Sequence, residues 1–159
     1  MAEQSNRAAQ IAAYMTSEGP LTPFNGDVPP SPEWFTRTVA VQPESAFVTV
    51  EGANIHYLRW GDRSKPGLLL VHGNAAHAYW WSFIAPYLAS DYNVAAMDFS
   101  GMGDSDWRKS YSAEVFAEEQ LAVCEAAGMF AHSEPPVIVA HSFGGFITML
   151  TGAQYGDRL

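Results

Sequence analysis

Three short apolar runs constrain this chain more than any other feature: Leu68-Leu69-Leu70-Val71, Val94-Ala95-Ala96-Met97 and Val137-Ile138-Val139-Ala140. None of them alternates. A strand with one wet face reads apolar–polar, whereas an unbroken apolar run is expected of a strand covered on both faces in a parallel sheet. The segments between them are long enough for crossover helices. Tyr79–Ala89 is aromatic-rich and wide enough for one helix, and Ser112–Gly128 predicts a second. In the latter, Glu114, Glu118 and Glu125 share one face while Phe116, Ala117, Leu121 and Cys124 cover the other. Ser112 is a fitting cap, Glu114 suits the N-terminal dipole, and Gly128 is a fitting stop. After Ser142, the spacing of Phe146, Met149, Leu150 and Ala153 predicts a third helix. Ahead of all this, Ala46–Glu51 and Asn54–Trp60 alternate loosely around Gly52, as two antiparallel strands joined by a tight turn would. Strand–helix units following an antiparallel lead-in imply an open α/β sheet with right-handed crossovers.

Residues 1–45 read as an arm and residues 46–159 as the body. Ala8–Met15 predicts two helical turns ended by Gly19 and Pro20, and five prolines from Pro20 to Pro32 suit a loop wrapping a surface. Trp34 and Phe35 are expected to pin the arm down, as a clasp or as a lid or partner-binding arm. The chain has 159 residues, 48% of them apolar, which is ample for one core. Its net charge of −9 argues against nucleic acid or an anionic membrane as partner. Only 16% of residues are charged, so the acidity reflects few basic residues rather than an acidic tract. The single cysteine excludes an internal disulfide, and the opening residues lead to no continuous apolar stretch of the secretory kind. No segment approaches the ~18 apolar residues of a membrane span. A cytoplasmic location is the simplest expectation.

The chemistry sits where the apolar runs end. The third run passes through His141 to Ser142, flanked by the small residues Ala140 and Gly144, and then into a helical pattern. A serine raised on a sharp strand-to-helix bend needs small flanking residues, because larger ones would collide with the neighbouring strand and helix. Such a serine faces free N–H groups at a helix N-terminus. The bland alternative is a serine capping an ordinary helix. The first run ends in His72-Gly73-Asn74, with Trp80 and Trp81 shortly beyond, and the second in Asp98-Phe99-Ser100-Gly101-Met102-Gly103-Asp104-Ser105. All three loops fall at carboxyl ends of parallel strands, where open α/β sheets bind ligands. The glycine loop lacks a lysine and the dinucleotide spacing. His72, His77 and Asp98 match no known metal-ligand spacing. No cofactor and no metal are expected.

Together, in this order and at this spacing, the His-Gly turn, the Asp-x-x-Gly-x-Gly-x-Ser loop and the small-x-Ser-x-Gly bend resemble the α/β-hydrolase superfamily over residues 46–159. The resemblance implies a small-molecule substrate and Ser142 as nucleophile, with the N–H groups of Phe143 and Asn74 as oxyanion donors. His72, Gly73, Trp80, Asp98 and Phe99 would order the loops or line the pocket, with Asp98 anchoring its loop by hydrogen bonds and Trp81 as wall or core. Asn74 and the following tryptophan resemble the epoxide-hydrolase, dehalogenase and carbon–carbon-bond hydrolase branch. Dehalogenases and epoxide hydrolases carry aspartate at the bend, so serine leaves ester, lactone and carbon–carbon substrates. Among the histidines, His141 is expected to face away from the site, His72 to order the oxyanion loop, and His56 and His132 to pack or lie at the surface. His77 alone is placed to substitute as a base. Cys124 is expected to be buried and inert.

In the superfamily the acid and the histidine follow later strands, and the five strands here match the first five. The chain therefore reads as the N-terminal portion of an α/β-hydrolase fold, truncated after the nucleophile helix and nearly inert alone. Its last strand is expected to be an apolar edge open to self-association. The rival reading is a non-catalytic half-domain that binds a partner or pairs with itself.

Overall fold

The computed structural model describes residues 22–25 and 27–159. The helical turns expected over Ala8–Met15 lie outside the described residues. The chain divides into two units, Met1–Glu33 and Trp34–Leu159. In the first, Thr22–Phe24 makes one turn of 3₁₀ helix. Helix α1 (Glu33–Val39) carries the chain into the second, with Glu33 in its first turn and Arg37 in its last, each at the favourable end of the helix dipole.

The second unit is organised by a five-stranded sheet of β1 (Glu44–Val50), β2 (Ala53–Trp60), β3 (Gly67–Val71), β4 (Asn93–Met97) and β5 (Val137–Ala140), in the spatial order β1-β2-β4-β3-β5. The lead-in pair is antiparallel, as is β2 with β4, while β3 runs parallel to both β4 and β5. Every residue of β3 and β4 is buried, which is the physical reason those segments carry no polar alternation. Alternate residues feed two cores. Leu69, Val71, Ala95 and Met97 join Ile55 and Tyr57 under the two long helices α3 (Ala113–Ala126) and α4 (Phe143–Tyr155). Leu68, Leu70, Val94 and Ala96 pack on the opposite face with Leu58 and Trp60, covered by Ala78 and Ala85.

Between β3 and β4 the single helix expected over Tyr79–Ala89 is broken. A 3₁₀ turn (Ala78–Trp81) is followed by a short helix α2 (Ala85–Leu88). Pro86 cannot donate a backbone hydrogen bond to the preceding turn, so a helix can start there but not run through it. Helix α3 begins as expected, with the Ser112 hydroxyl accepting from the Val115 N–H at 3.2 Å, and it ends at Gly128, whose φ is 75°. Its buried face is wider than the apolar pattern suggests, because it also takes in Glu119 and Gln120.

β5 differs from the other parallel strands. It ends the sheet, and α2 with the turn before it does not extend over it, so Val137 and Val139 are about half exposed. On α4 the residues that pack inward are Gly144, Ile147 and Thr151, while Phe146 and Met149 are 78% and 76% exposed. Of the apolar stripe that signals this helix, Phe146 and Met149 thus face outward while Leu150 packs against the core.

Cys124 is fully buried, and burial, with a smaller contribution from the nearby Glu125, pushes its thiol up to about 12. The thiolate is the reactive form. A disulfide reagent is therefore expected to leave Cys124 untouched in the folded chain and to titrate one thiol in denaturant. Rapid reaction under native conditions would contradict the packing described here. Among the described residues, no helix is long and apolar enough to cross a membrane.

Candidate active site

The site grows out of the sheet topology. The chain crosses from β3 to β4 on one side and later returns to pair β5 on the other, so the loops leaving β3 and β5 sit side by side where the winding reverses. A crevice opens at such a switch point. Here it is a cleft of about 880 Å³ whose lining includes Gly73, Asn74, His77, Trp80, His141 and Ser142.

At the base of this cleft β5 stops at Ala140 and Ser142 turns the chain sharply, with φ 50° and ψ −117°. Non-glycine residues are rarely found at positive φ, and holding one there costs on the order of 1–3 kcal/mol. The bend is fixed by close approach. A Cβ on Gly144 would lie 2.4 Å from the His72 carbonyl oxygen, and one on Gly73 would lie 2.7 Å from His141 Nδ1. Two adjacent loops meet through their missing side chains. Ser142 occupies the N-cap position of α4 but makes no side-chain cap bond, and its exposed hydroxyl has no hydrogen-bond partner among the described residues. It is not a capping serine. The N–H groups of Asn74 and Phe143 are likewise uncommitted among the described residues, whereas the Phe143 ring packs against Phe99 and Phe116.

Gly73 and Trp80 line the cleft; His72, Asp98 and Phe99 are buried outside it. His72 Nε2 accepts from the Phe99 N–H at 3.3 Å, so the ring proton is on Nδ1, 2.6 Å from the Gly73 carbonyl oxygen. Burial pulls the His72 pKa below its usual value, which favours this neutral tautomer, although the Gly73 carbonyl and the Asp98 charge oppose the shift. The ring therefore ties the β3 loop to the β4 loop. Asp98 takes three donors: the Ala78 N–H, the Asp104 N–H at 3.0 Å, and His56 Nδ1 at 2.7 Å. Burial alone would raise its pKa. The bonds from His56, Asp104 and Ala78 outweigh that and hold the carboxyl below the usual range.

Two histidines behave differently from the sequence-based expectation. His56 is buried and packs against Phe47 and Tyr79, as a packing role requires, but it also bridges Asp98 to the Ser45 hydroxyl, which lies 2.9 Å from Nε2. The order Ser45–His56–Asp98 is that of a relay, but these residues stand outside the cleft, and the ring serves to brace the β4 loop against β1. The connection spans 42 residues between His56 and Asp98, and no local pattern announces it. His141 does not face away. Its ring lies in the cleft, edge-on to Trp80 at 4.8 Å, in the space the absent Gly73 side chain leaves. His77 also lines the cleft, as expected, although neither histidine bonds to Ser142.

Sequence reasoning also missed Glu119. It is fully buried, accepts from the Ser100 N–H and from Arg108 Nε, each at 3.0 Å, and so straps the glycine loop to α3. Burial raises its pKa despite the opposing Ser100 and Arg108 bonds. The only available signal was a charged residue on an otherwise apolar helical face.

Comparison with known proteins fits this architecture. A family model described as "Alpha/beta hydrolase family" matches residues 68–158, more than half of the chain. Epoxide hydrolase 4 of Mus musculus is 29% identical over 111 residues, covering 68% of this chain and 30% of that protein. Lipase LipV of Mycobacterium tuberculosis is 28% identical over 106 residues, covering 67% of this chain and 39% of that protein. Among solved structures, a thioesterase domain from the curacin biosynthetic pathway superimposes with a TM-score of 0.67 at 25% identity, over 75% of this chain and 42% of that one. This chain thus spans well under half the length of these relatives. The order of strands, the bend at Ser142 and the matched residues agree: the chain belongs to the alpha/beta hydrolase family.

Proposed function

We propose that this chain is the nucleophile-bearing part of a serine hydrolase that transfers an acyl group from a small-molecule substrate to water. The observation that carries the reading is Ser142 itself: a non-glycine residue at φ 50°, exposed in a cleft at a helix N-terminus, with a hydroxyl that caps nothing. In this reaction the Ser142 oxygen attacks the carbonyl carbon of an ester, a lactone or a scissile carbon–carbon bond, and its proton passes to a base. The amides of Phe143 and Asn74 receive the oxyanion. The leaving group departs protonated, and water then releases the acid and restores the serine. A hydroxyl at position 142, in place of a carboxylate, supports acyl chemistry over epoxide opening. No side chain among the described residues bonds the Ser142 hydroxyl, so in this reading the base and the acid that orients it are supplied from beyond the described residues.

A fluorophosphonate tests this. In a protein completed with the acid and the histidine, it should label one serine, and Ser142→Ala should abolish the label. Equal labelling of the variant would refute the assignment. The 159-residue chain by itself should hydrolyse simple esters at background.

A second reading, a half-domain that pairs with itself, is favoured by one observation: Val137, Val139, Phe146 and Met149 expose apolar surface at the open edge of the sheet. Sedimentation velocity should find the chain self-associated at micromolar concentration, and Phe146→Glu with Met149→Glu should shift it to monomer. A monomer before substitution removes this reading.

A further inference from the structure

Helix α1 lies ahead of the residues that match the family model, yet it forms a wall of the cleft that holds Ser142. Its placement is specific. Phe35 stacks on Phe83 with ring centroids 6.4 Å apart, and Trp34 meets Phe35 edge-on at 5.8 Å. The Thr38 hydroxyl turns back to the Trp34 carbonyl at 2.6 Å, which leaves the helix no polar side chain toward the cleft. Trp34 and Val39 remain 46% and 38% exposed, and both line the cleft. Opposite them stand Tyr79 and Trp80, the latter held by its edge contact with His141. The cleft thus runs from the serine to an aromatic wall, and its volume suits a small organic ligand.

The charge pattern narrows the ligand. Among the described residues no lysine, arginine, aspartate or glutamate lines the cleft, and the chain as a whole carries −9. Beyond His77, His141 and the amides beside Ser142, nothing along the aromatic walls would pair with a carboxylate or phosphate, and an anion held there would meet net repulsion. Large apolar side chains left half-exposed around a nucleophile recover that exposed surface when an apolar group covers it.

We infer that α1 is a specificity element: Trp34, Phe35 and Val39 bind the apolar group of a neutral alkyl or aryl ester, with Tyr79 and Trp80 as the facing wall and Phe83 packed against Phe35. This rests on the assignment of Ser142 above and extends it to the substrate class. Each methylene that reaches the wall should add about two- to fourfold to affinity, since transfer of a fully buried methylene corresponds to about fourfold.

Binding is measured separately from chemistry. In the 159-residue chain, tryptophan fluorescence should report saturable binding of methyl octanoate and clearly weaker binding of methyl butanoate. Octanoate, the matching anion, should bind at least tenfold more weakly than its methyl ester. Trp34→Ala with Phe35→Ala should weaken methyl octanoate binding five- to tenfold and flatten the chain-length dependence, with Trp80 still reporting. Val39→Asp, at an exposed helix position, is a second variant that should weaken the same ester without perturbing the aromatic stack. Ser142→Ala should leave binding intact, so a failure of the nucleophile assignment and a failure of this inference give different results. Equal binding of octanoate and its ester, absence of any chain-length dependence, or α1 variants that bind as the parent does would each overturn it.

Discussion

Ser142→Ala in the catalytically completed protein should lower kcat by about 10⁴–10⁶-fold, as loss of the nucleophile does in serine proteases. KM should change little, because the substituted atom leaves the cleft walls untouched. The size of the effect follows from the local structure. Attack requires an exposed oxygen free of competing bonds, and the bend at φ 50° provides that at an energetic cost that the contacts of Gly144 and Gly73 with neighbouring loops sustain. Residual turnover would come from the amides and the binding surface, which the substitution leaves in place. A loss smaller than tenfold, measured by steady-state kinetics with a purified variant of native circular dichroism, would show that another group carries the chemistry.

Asp98→Ala should produce the largest loss of stability, about 3–5 kcal/mol, read as a lower midpoint in urea unfolding. Removing the carboxylate strips acceptors from three donors at once, the buried Ala78 N–H and His56 Nδ1 and the partly buried Asp104 N–H. These belong to the segment after β3, the loop after β4, and β2, so one side chain joins three parts of the site. A cost below 1 kcal/mol would mean that the donors find other partners and that Asp98 is not the anchor.

The same groups set the acid response. His72 has a folded pKa below its ordinary value of 6.5, so the unfolded chain binds the proton more readily. Its contribution to stability is present above pH 6.5 and is lost as pH falls below it, with a slope of at most about 1.4 kcal/mol per pH unit. Asp98, depressed below 3.8, loses its contribution only as pH falls below that value. Glu119 runs the other way. Its raised pKa gives a contribution that is complete below 4.5 and fades as pH rises through the folded value. Because Glu119 opposes His72 as pH falls, the His72 contribution is read as a difference: between pH 7 and 5 the urea midpoint should fall more, or rise less, in the parent than in His72→Gln, whose amide does not titrate.

Much of the architecture was legible because it is governed by near neighbours. Leu68–Val71 and Val94–Met97 read as two-face-buried strands, and they are. Ser112 and Gly128 read as the ends of α3, because capping and positive φ are properties of single positions. Val137–Ala140 carried the same signal, yet it is half exposed, since burial depends on what lies beside a strand and not on the strand. Tyr79–Ala89 misled in the opposite sense. Its aromatic content suggested one helix, and Pro86 divides it.

The site divides along the same line. The bend at Ser142 was legible in the sequence, because the small residues it needs, Ala140 and Gly144, stand within two positions of it, although the surface Gly144 approaches, the His72 carbonyl, belongs to another loop. Three features had no such local cause. His56 reaches Asp98 only because β2 pairs with β4, His141 turns into the cleft because Gly73 of another loop leaves it space, and α1 becomes a wall because Phe35 finds Phe83. Each is a contact between segments far apart in the chain, and short-range sterics hold no information about which distant surface a side chain will meet.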